Sequence, residues 1–140
     1  MIKTLKKIIA IFAACLFCAG ALTSCDAAVD RNIKKFVEEF FEAVEDGDYT
    51  EAETYLHPIR AADFNKYFSD IENNEGVDFQ SGIKIERYIS YSVIEYDRTL
   101  NGTVYELKVR TKVSGVIIRF AMSILKNGAG YGIYSLKVDG

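Results

Sequence analysis

The sequence predicts an α+β domain in which three helices are followed by an antiparallel sheet of about four strands. Apolar residues recur every three or four positions as far as residue 73, whereas beyond Gly76 they alternate with polar residues, which is the period of strands. No helical segment separates the strand segments, so turns must join them and the sheet is antiparallel. A chain of 140 residues, 49% apolar and 13% aromatic, is long enough for one such domain.

The first helix is predicted over residues 30–46. Charged residues separate its apolar positions, so that one face of the helix is apolar and the other is polar. The apolar positions are Val29, Ile33, Phe36, Val37, Phe40, Phe41 and Val44. Gly47 then ends the helix, because glycine readily adopts the left-handed conformation that is common at helix ends.

Two further helices are predicted before the sheet. Thr50 and Glu53 have the spacing of a capping box, which opens a short second helix that Pro58 ends. The third helix covers residues 60–73, where the apolar residues again form one stripe, and it stops before Gly76.

Four strands follow, and turn residues separate them. Asn101-Gly102 predicts a tight turn after the first strand, and Ser114-Gly115 predicts a bulge or a bend after the second. A glycine-rich turn at 127–130 leads into the last strand. The predicted strands cover residues 83–93, 105–113, 116–126 and 131–138.

Residues 1–24 have the layout of a secretory signal. Three lysines precede an uncharged apolar stretch over residues 8–22, and polar residues close it. A membrane-spanning helix needs about 20 apolar residues, so this stretch is too short for a lasting span. We therefore expect an exported protein.

The end of this segment, Leu22-Thr23-Ser24-Cys25, resembles the lipobox of bacterial lipoproteins, in which the cysteine is acylated and the bond before it is cut. The resemblance implies a signal peptide over 1–24, a short tether over 25–29 and a domain over 30–140. Two or three acyl chains on Cys25 would hold the protein stably on the extracytoplasmic side of the bacterial cell membrane. The alternatives are an ordinary cleavage site that leaves a free thiol, and an uncleaved anchor.

The two remaining cysteines, Cys15 and Cys18, lie inside the apolar stretch and would leave with the signal, so the mature domain can form no internal disulfide. Its stability must rest on its hydrophobic core and its backbone hydrogen bonds.

The net charge argues against nucleic acid as a partner. The chain has a formal charge of −3, and loss of the three signal lysines makes it −6. Nucleic-acid binding needs clustered basic residues, and the longest basic run beyond the signal is Lys34-Lys35. We expect the partners to be the membrane, through the lipid on Cys25, and a small ligand or an envelope protein.

Two stretches resemble the nuclear transport factor 2-like superfamily, especially the uncharacterised domains that bacterial lipoproteins carry. VEEFFEAVEDGDYTEAETYL, residues 37–56, is similar to the family's opening helix, Asp-Gly-Asp turn and short second helix. FAMSILKNGAGYGIYSLKV, residues 120–138, is similar to its final hairpin, with Tyr131 where the family usually has tryptophan. The resemblance implies a curved sheet wrapped around a long helix as a cone that is open at one end. Some members use that cavity for isomerisation or dehydration and many others only bind, so the fold does not decide the function.

Aromatic residues are the first candidates for a ligand site in such a cone. Tyr55, Tyr67, Tyr91, Tyr105 and Phe120 are expected to line the pocket if the cone is open, and to pack in the core if it is filled.

Two arginines are the second set of candidates. Arg87 falls on the apolar positions of the first strand, and Arg119 lies between Ile118 and Phe120, so each could bind an anionic group inside the cone. The alternative places both on an edge strand or on the outer face, where they would only be solvated.

Catalytic chemistry has little support in the sequence. His57 is the only histidine, and its position at a helix end suits an interaction with the last carbonyls better than catalysis. No spacing of nitrogen, sulfur or carboxylate ligands predicts a metal, and no serine or cysteine nucleophile has a base beside it. We therefore assign no catalytic residue, no metal and no cofactor.

Three functional hypotheses follow. The first is a membrane-anchored extracytoplasmic lipoprotein whose domain binds a ligand or a protein without catalysis. The second is an enzyme of the isomerase or dehydratase kind that uses a buried carboxylate or His57. The third is a structural interaction module of the cell envelope, with an exposed apolar surface for its partner.

Overall fold

The computed structural model describes residues 24–139, which form an α+β fold with an open antiparallel sheet of four strands in the order β1-β2-β3-β4. This confirms the predicted α+β class and the antiparallel sheet of four strands. None of the described helices is both long and apolar enough to cross a bilayer. The elements are α1 (Ser24–Ala28), α2 (Arg31–Glu45), α3 (Tyr49–Glu53), α4 (Phe64–Glu75), a 3₁₀ turn (Phe79–Ser81), β1 (Ile83–Asp97), β2 (Gly102–Val113), β3 (Val116–Asn127) and β4 (Gly130–Val138).

The long helix α2 follows the prediction closely. The Asp30 side chain accepts a hydrogen bond of 2.8 Å from the Asn32 N–H and so caps the helix. Gly47, with a φ of 72°, adopts the left-handed conformation expected just beyond the helix end. The residues that α2 buries lie on its predicted apolar stripe or beside it: Ile33, Val37, Phe40, Phe41, Ala43 and Val44.

The starts of the next two helices differ from the prediction. The cap of α3 is Asp48, whose carboxylate accepts from the Glu51 N–H at 3.0 Å, so Thr50 and Glu53 form no capping box. The Glu53 carboxylate instead accepts from the Phe64 N–H at 3.2 Å and joins α3 to α4. The helix α4 begins only at Phe64, because its capping residue is Asp63 and the residues before it are exposed.

The Ser114-Gly115 pair joins β2 to β3 as a hairpin turn rather than interrupting a strand. Its residues have φ values of 50° and 78°, and the flanking Val113 and Val116 are paired. Two successive residues with positive φ are typical of the two-residue turns that match the twist of antiparallel strands.

Two register shifts in β1 change which side chains face the helices. The pairing with β2 is irregular between Ile85 and Arg87 and again between Tyr88 and Ser90. Each irregularity moves the alternation by one residue, so Tyr88 is buried whereas Arg87 is exposed. The second shift restores the predicted alternation at Tyr91.

The helices cover one face of the sheet, here called the helix face, and leave the opposite outer face open. Phe120 of β3 is fully buried on the helix face, where its ring centre lies 5.2 Å from that of Phe41 and 6.4 Å from that of Phe68. On β2, Val109 and Thr111 are buried on the same side, whereas Arg110 and Lys112, which alternate with them, carry charge and point outward.

The loop after α3 covers the free edge of β4. Leu56 pairs with Ile133 as an isolated parallel bridge, and the His57 N–H donates to the Ile133 carbonyl at 2.9 Å. Farther along, Arg60 Nε donates to the Tyr134 carbonyl at 2.9 Å. These bonds occupy backbone groups that an edge strand would otherwise expose.

The predicted tether over 25–29 is not an extended link. Its residues belong largely to α1, and the Asp26 carboxylate accepts a 2.7 Å hydrogen bond from the Tyr88 N–H of β1. Val29 is buried, with 5% of its surface exposed. The predicted signal core and the start of the lipobox lie outside the described residues, and Cys25 is described only as backbone of α1.

Candidate ligand-binding site

The largest cleft described, about 640 Å³, opens between the first half of α2 and one end of the sheet. We call it the aromatic mouth. Tyr105 lies near the start of β2, and Lys126 is paired with Tyr131 where β3 turns into β4. All three therefore lie at the end of the sheet that the β1–β2 and β3–β4 turns form. The lining residues are Asp30, Asn32, Ile33, Lys35, Phe36, Glu39, Tyr105, Lys126 and Tyr131.

Edge-to-face aromatic contacts hold the mouth in shape. The ring of Phe36 lies 5.0 Å from that of Tyr131 at 79°, and 5.2 Å from that of Tyr55 at 70°. Such pairs contribute about 0.5–1.5 kcal/mol each beyond the area they bury. Tyr131 remains 38% exposed, so part of its ring is accessible to a ligand.

Tyr131 is a neutral hydrogen-bonding group of the mouth at ordinary pH. Burial, with smaller contributions from Tyr105, Asp30 and Tyr91, raises the pKa of Tyr131 to about 12. Burial is also the main cause that raises the pKa of Tyr91; a hydrogen bond with the Asp30 backbone lowers it in part, and the negative charge of Asp30 raises it. A phenol with a raised pKa keeps its proton and can donate it in a hydrogen bond, but it is a poor candidate for a general base.

The charges at the rim are balanced. Two acidic side chains, Asp30 and Glu39, lie with two basic ones, Lys35 and Lys126. Lys35 forms an ion pair of 3.8 Å with Glu39, and both side chains are largely exposed, so the pair adds about 0–1 kcal/mol. The mouth therefore suits a neutral or zwitterionic molecule with an aromatic or apolar part.

Three of the aromatic residues predicted for the site are brought together here. Tyr105 lines the mouth, and Tyr91 lies close enough to Tyr105 and Asp30 for their charges to affect its pKa. Tyr55 contacts Phe36 and supports the wall from behind.

Other lining residues were missed by sequence reasoning. Phe36 lies on the apolar stripe of α2 and was assigned to the core, although it faces the open end of the stripe. The sequence did contain a signal for Tyr131, because the resemblance to the nuclear transport factor 2-like superfamily aligns it with a position where that family usually has tryptophan. Asp30 and Lys126 had none, since isolated charges near turns are common on any surface.

Two predicted aromatics lie elsewhere. Phe120 fills the core and is not among the residues that line the mouth. Tyr67 lies in a smaller cleft beside β4, where its hydroxyl donates to the Leu136 carbonyl at 3.3 Å and burial raises its pKa to about 12.

The two arginine candidates also lie outside the mouth, in the exposed positions that the alternative interpretation gave them. Arg87 is exposed because the register shift after Ile85 turns it outward. Arg119 is exposed on the outer face, opposite Arg110 of β2.

His57 is fully buried, but its surroundings are those of a structural clamp. Its Nε2 lies 2.9 Å from Asn127 Oδ1, and its Nδ1 accepts from the Ile59 N–H at 3.2 Å. With Nδ1 accepting, the ring proton belongs on Nε2 and is donated to Asn127. His57 is not among the residues that line the mouth.

A buried carboxylate was the alternative to His57 as the catalytic group of the enzymatic hypothesis. Within residues 24–139 the buried polar side chains are those of His57 and Thr111. The same range contains no group of three histidine, cysteine, aspartate or glutamate side chains placed to hold a metal. Comparison with protein-family models, with curated proteins and with solved structures finds no match to this chain.

Proposed function

We propose that the protein is an extracytoplasmic lipoprotein whose domain binds a small neutral or zwitterionic ligand, or the side chain of a peptide, without catalysis. The observation that carries the proposal is the aromatic mouth of about 640 Å³, with accessible ring surface and neutral phenols beside a balanced rim. This volume falls in the range of ordinary small-molecule sites. The absence of a buried acid among the described residues favours binding over acid–base chemistry at this place.

Anchoring through a lipid on Cys25 is supported by the Leu22-Thr23-Ser24-Cys25 motif and by the uncharged segment before it. The described fold begins at Ser24, so the folded domain would sit directly against the anchor with little free linker.

A nuclear transport factor 2-like cone is the fold that we propose for the domain. The two resembling stretches support it, together with the long helix α2 on the antiparallel sheet and the mouth open at one end.

Binding can be tested with N-phenyl-1-naphthylamine, an uncharged aromatic dye that fluoresces in apolar clefts. Replacement of Tyr131 by serine removes an exposed wall of the mouth, and we expect it to weaken dye binding at least tenfold. The matched control is Tyr134→Ser on the same strand, whose ring lies 4.7 Å from the Arg60 guanidinium outside the mouth. Equal dye binding by the two variants, with circular dichroism showing both folded, would reject the mouth as the site.

A further inference from the structure

The outer face of the sheet carries a cationic surface that the proposed ligand site does not use. Three acidic side chains, Glu86, Glu106 and Asp139, accompany a larger set of basic ones on this face. The whole chain has the opposite balance, with a formal charge of −3. The basic side chains of this surface, here called the cationic face, are Lys84, Arg87, Lys108, Arg110, Lys112, Arg119 and Lys137.

The strand register places like charges next to each other on the cationic face. Arg87 is opposite Arg110, and Arg110 is opposite Arg119, so three arginines form a row across three strands. Directly opposed side chains on one face are about 4.5–5.5 Å apart at Cβ, and like charges at that distance are destabilising. Of the three, only Arg110 has an ion pair among the described residues, a 3.0 Å contact with Glu86. The row therefore repels itself, and an anionic partner would relieve the repulsion.

The shape next to this row also suits phosphate groups. A cleft of about 260 Å³ lies on the outer face between Lys108 and Lys137, and Glu106 also borders it. Lysine and arginine bind phosphate oxygens well, and serine hydroxyls can donate to them. The short side chains that line the cleft are Ser90, Ser92, Ala121, Ser123 and Ser135.

The position of Cys25 indicates which anionic partner lies near the cationic face. Asp26 is bonded to the Tyr88 N–H, and Arg87 precedes Tyr88 on the same strand. Cys25 is one peptide unit from Asp26, a Cα separation of about 3.8 Å. A lipid on Cys25 would therefore hold the bilayer surface at the β1 edge, beside the arginine row.

We propose that the cationic face docks on the anionic lipid headgroups of the membrane that holds the protein, an inference that rests on the proposed lipid anchoring. Docking fixes the orientation of the domain and turns the helix side, with the aromatic mouth, away from the bilayer surface. Basic residues near an anionic membrane each strengthen attraction roughly fivefold at moderate ionic strength, and salt weakens the effect.

The test uses the full chain in vesicles. Because the sequence contains no tryptophan, a single introduced tryptophan reports on its own position. A single reporter, Ile117→Trp, stands on the outer face opposite Lys112, and a second, Tyr131→Trp, stands in the mouth. Energy transfer to dansyl-labelled headgroups is measured in phosphatidylcholine vesicles with and without phosphatidylglycerol. We expect phosphatidylglycerol to increase transfer from position 117 several-fold and to leave transfer from position 131 low.

Charge variants test the cause. Neutralising three members of the cationic face, Arg87→Gln, Arg119→Gln and Lys137→Gln, should lower the equilibrium constant for docking about 100-fold, at roughly fivefold per residue. The matched control removes the same net charge elsewhere, with Arg60→Gln, Lys66→Gln and Arg98→Gln, and should change docking little.

Several results would overturn the proposal: equal transfer with and without phosphatidylglycerol, equal losses in the two triple variants, or stronger transfer from position 131. Binding of soluble polyphosphate without any effect of phosphatidylglycerol would assign the face to a free polyanion instead. Mass analysis of Cys25 in the same preparation tests the anchoring separately. An unmodified Cys25 would refute the lipid anchor, whereas the dependence on phosphatidylglycerol would still decide the docking face.

Discussion

Two aromatic residues of the sheet, Phe120 and Tyr131, should respond to truncation in opposite ways. Phe120 is fully buried and packs against the rings of Phe41, Phe68 and Phe79. Its replacement by alanine leaves a cavity in a core that cannot fully collapse, and we expect the free energy of unfolding to fall by about 3–5 kcal/mol. The dye affinity of the fraction that remains folded should be unchanged.

Truncation of Tyr131 should show the reverse. This residue is 38% exposed, and its main aromatic contact is with Phe36. Loss of that contact and of part of the buried ring gives an expected change of about 1–2 kcal/mol. Dye binding should be largely lost, because the accessible wall of the mouth is removed.

Urea unfolding followed by tyrosine fluorescence measures both stabilities, and dye titration of the same samples measures binding. Phe120→Leu is a useful intermediate, since leucine refills part of the volume and should restore much of the stability. The reasoning would be refuted if Phe120→Ala lowered the free energy of unfolding by less than about 1 kcal/mol, because truncation at the centre of a packed core leaves a cavity that destabilises the fold by more than this. It would also fail if Phe120→Ala abolished dye binding in protein that is still folded.

Three further perturbations test other parts of the structure. His57→Phe removes both ring hydrogen bonds while keeping an aromatic ring. Urea unfolding should show that the free energy of unfolding falls by about 2–4 kcal/mol, and a fall of less than about 0.5 kcal/mol would contradict the structural role of His57. Tyr67 and Tyr131 have pKa values of about 12 in the folded protein, against about 10 in the unfolded chain. The stability that this difference contributes is present below pH 10 and is lost as the pH rises from 10 to 12. A spectrophotometric titration in which all tyrosines have ordinary midpoints would disprove this. Lysine at Ile94, an exposed residue on the free edge strand β1, should reduce any self-association seen by sedimentation velocity. Lysine at Ile59, an exposed residue outside the strands, should not, and equal effects would count against edge pairing.

The fold class could be predicted because the period of the apolar residues changes once, near Gly76. The stripe of α2 and the alternation in β2 are regular, and the structure follows both. The helix starts were less predictable, since Asp48 and Asp63 compete with neighbouring residues for the capping position and only the backbone geometry shows which one wins.

The site was predicted in part. Tyr105 lines the aromatic mouth because it alternates regularly with polar residues on β2. Tyr91 lies close to Tyr105 because the two irregularities that precede it on β1 cancel. The sequence could not decide whether Arg87 faces the interior or the outside, because a bulge leaves no reliable signal in one sequence, yet it reverses every side chain until the next irregularity. Phe36 could not be told from a core residue by periodicity, since the stripe does not reveal where the sheet beneath it ends.

The most direct test of an anchored binding domain is the intact mass of the protein purified from bacterial membranes. The account predicts a chain that begins at Cys25 and carries a diacylglyceryl group, with or without a third acyl chain. A product that retains residues 1–24, or one that begins at an unmodified Cys25, would contradict it.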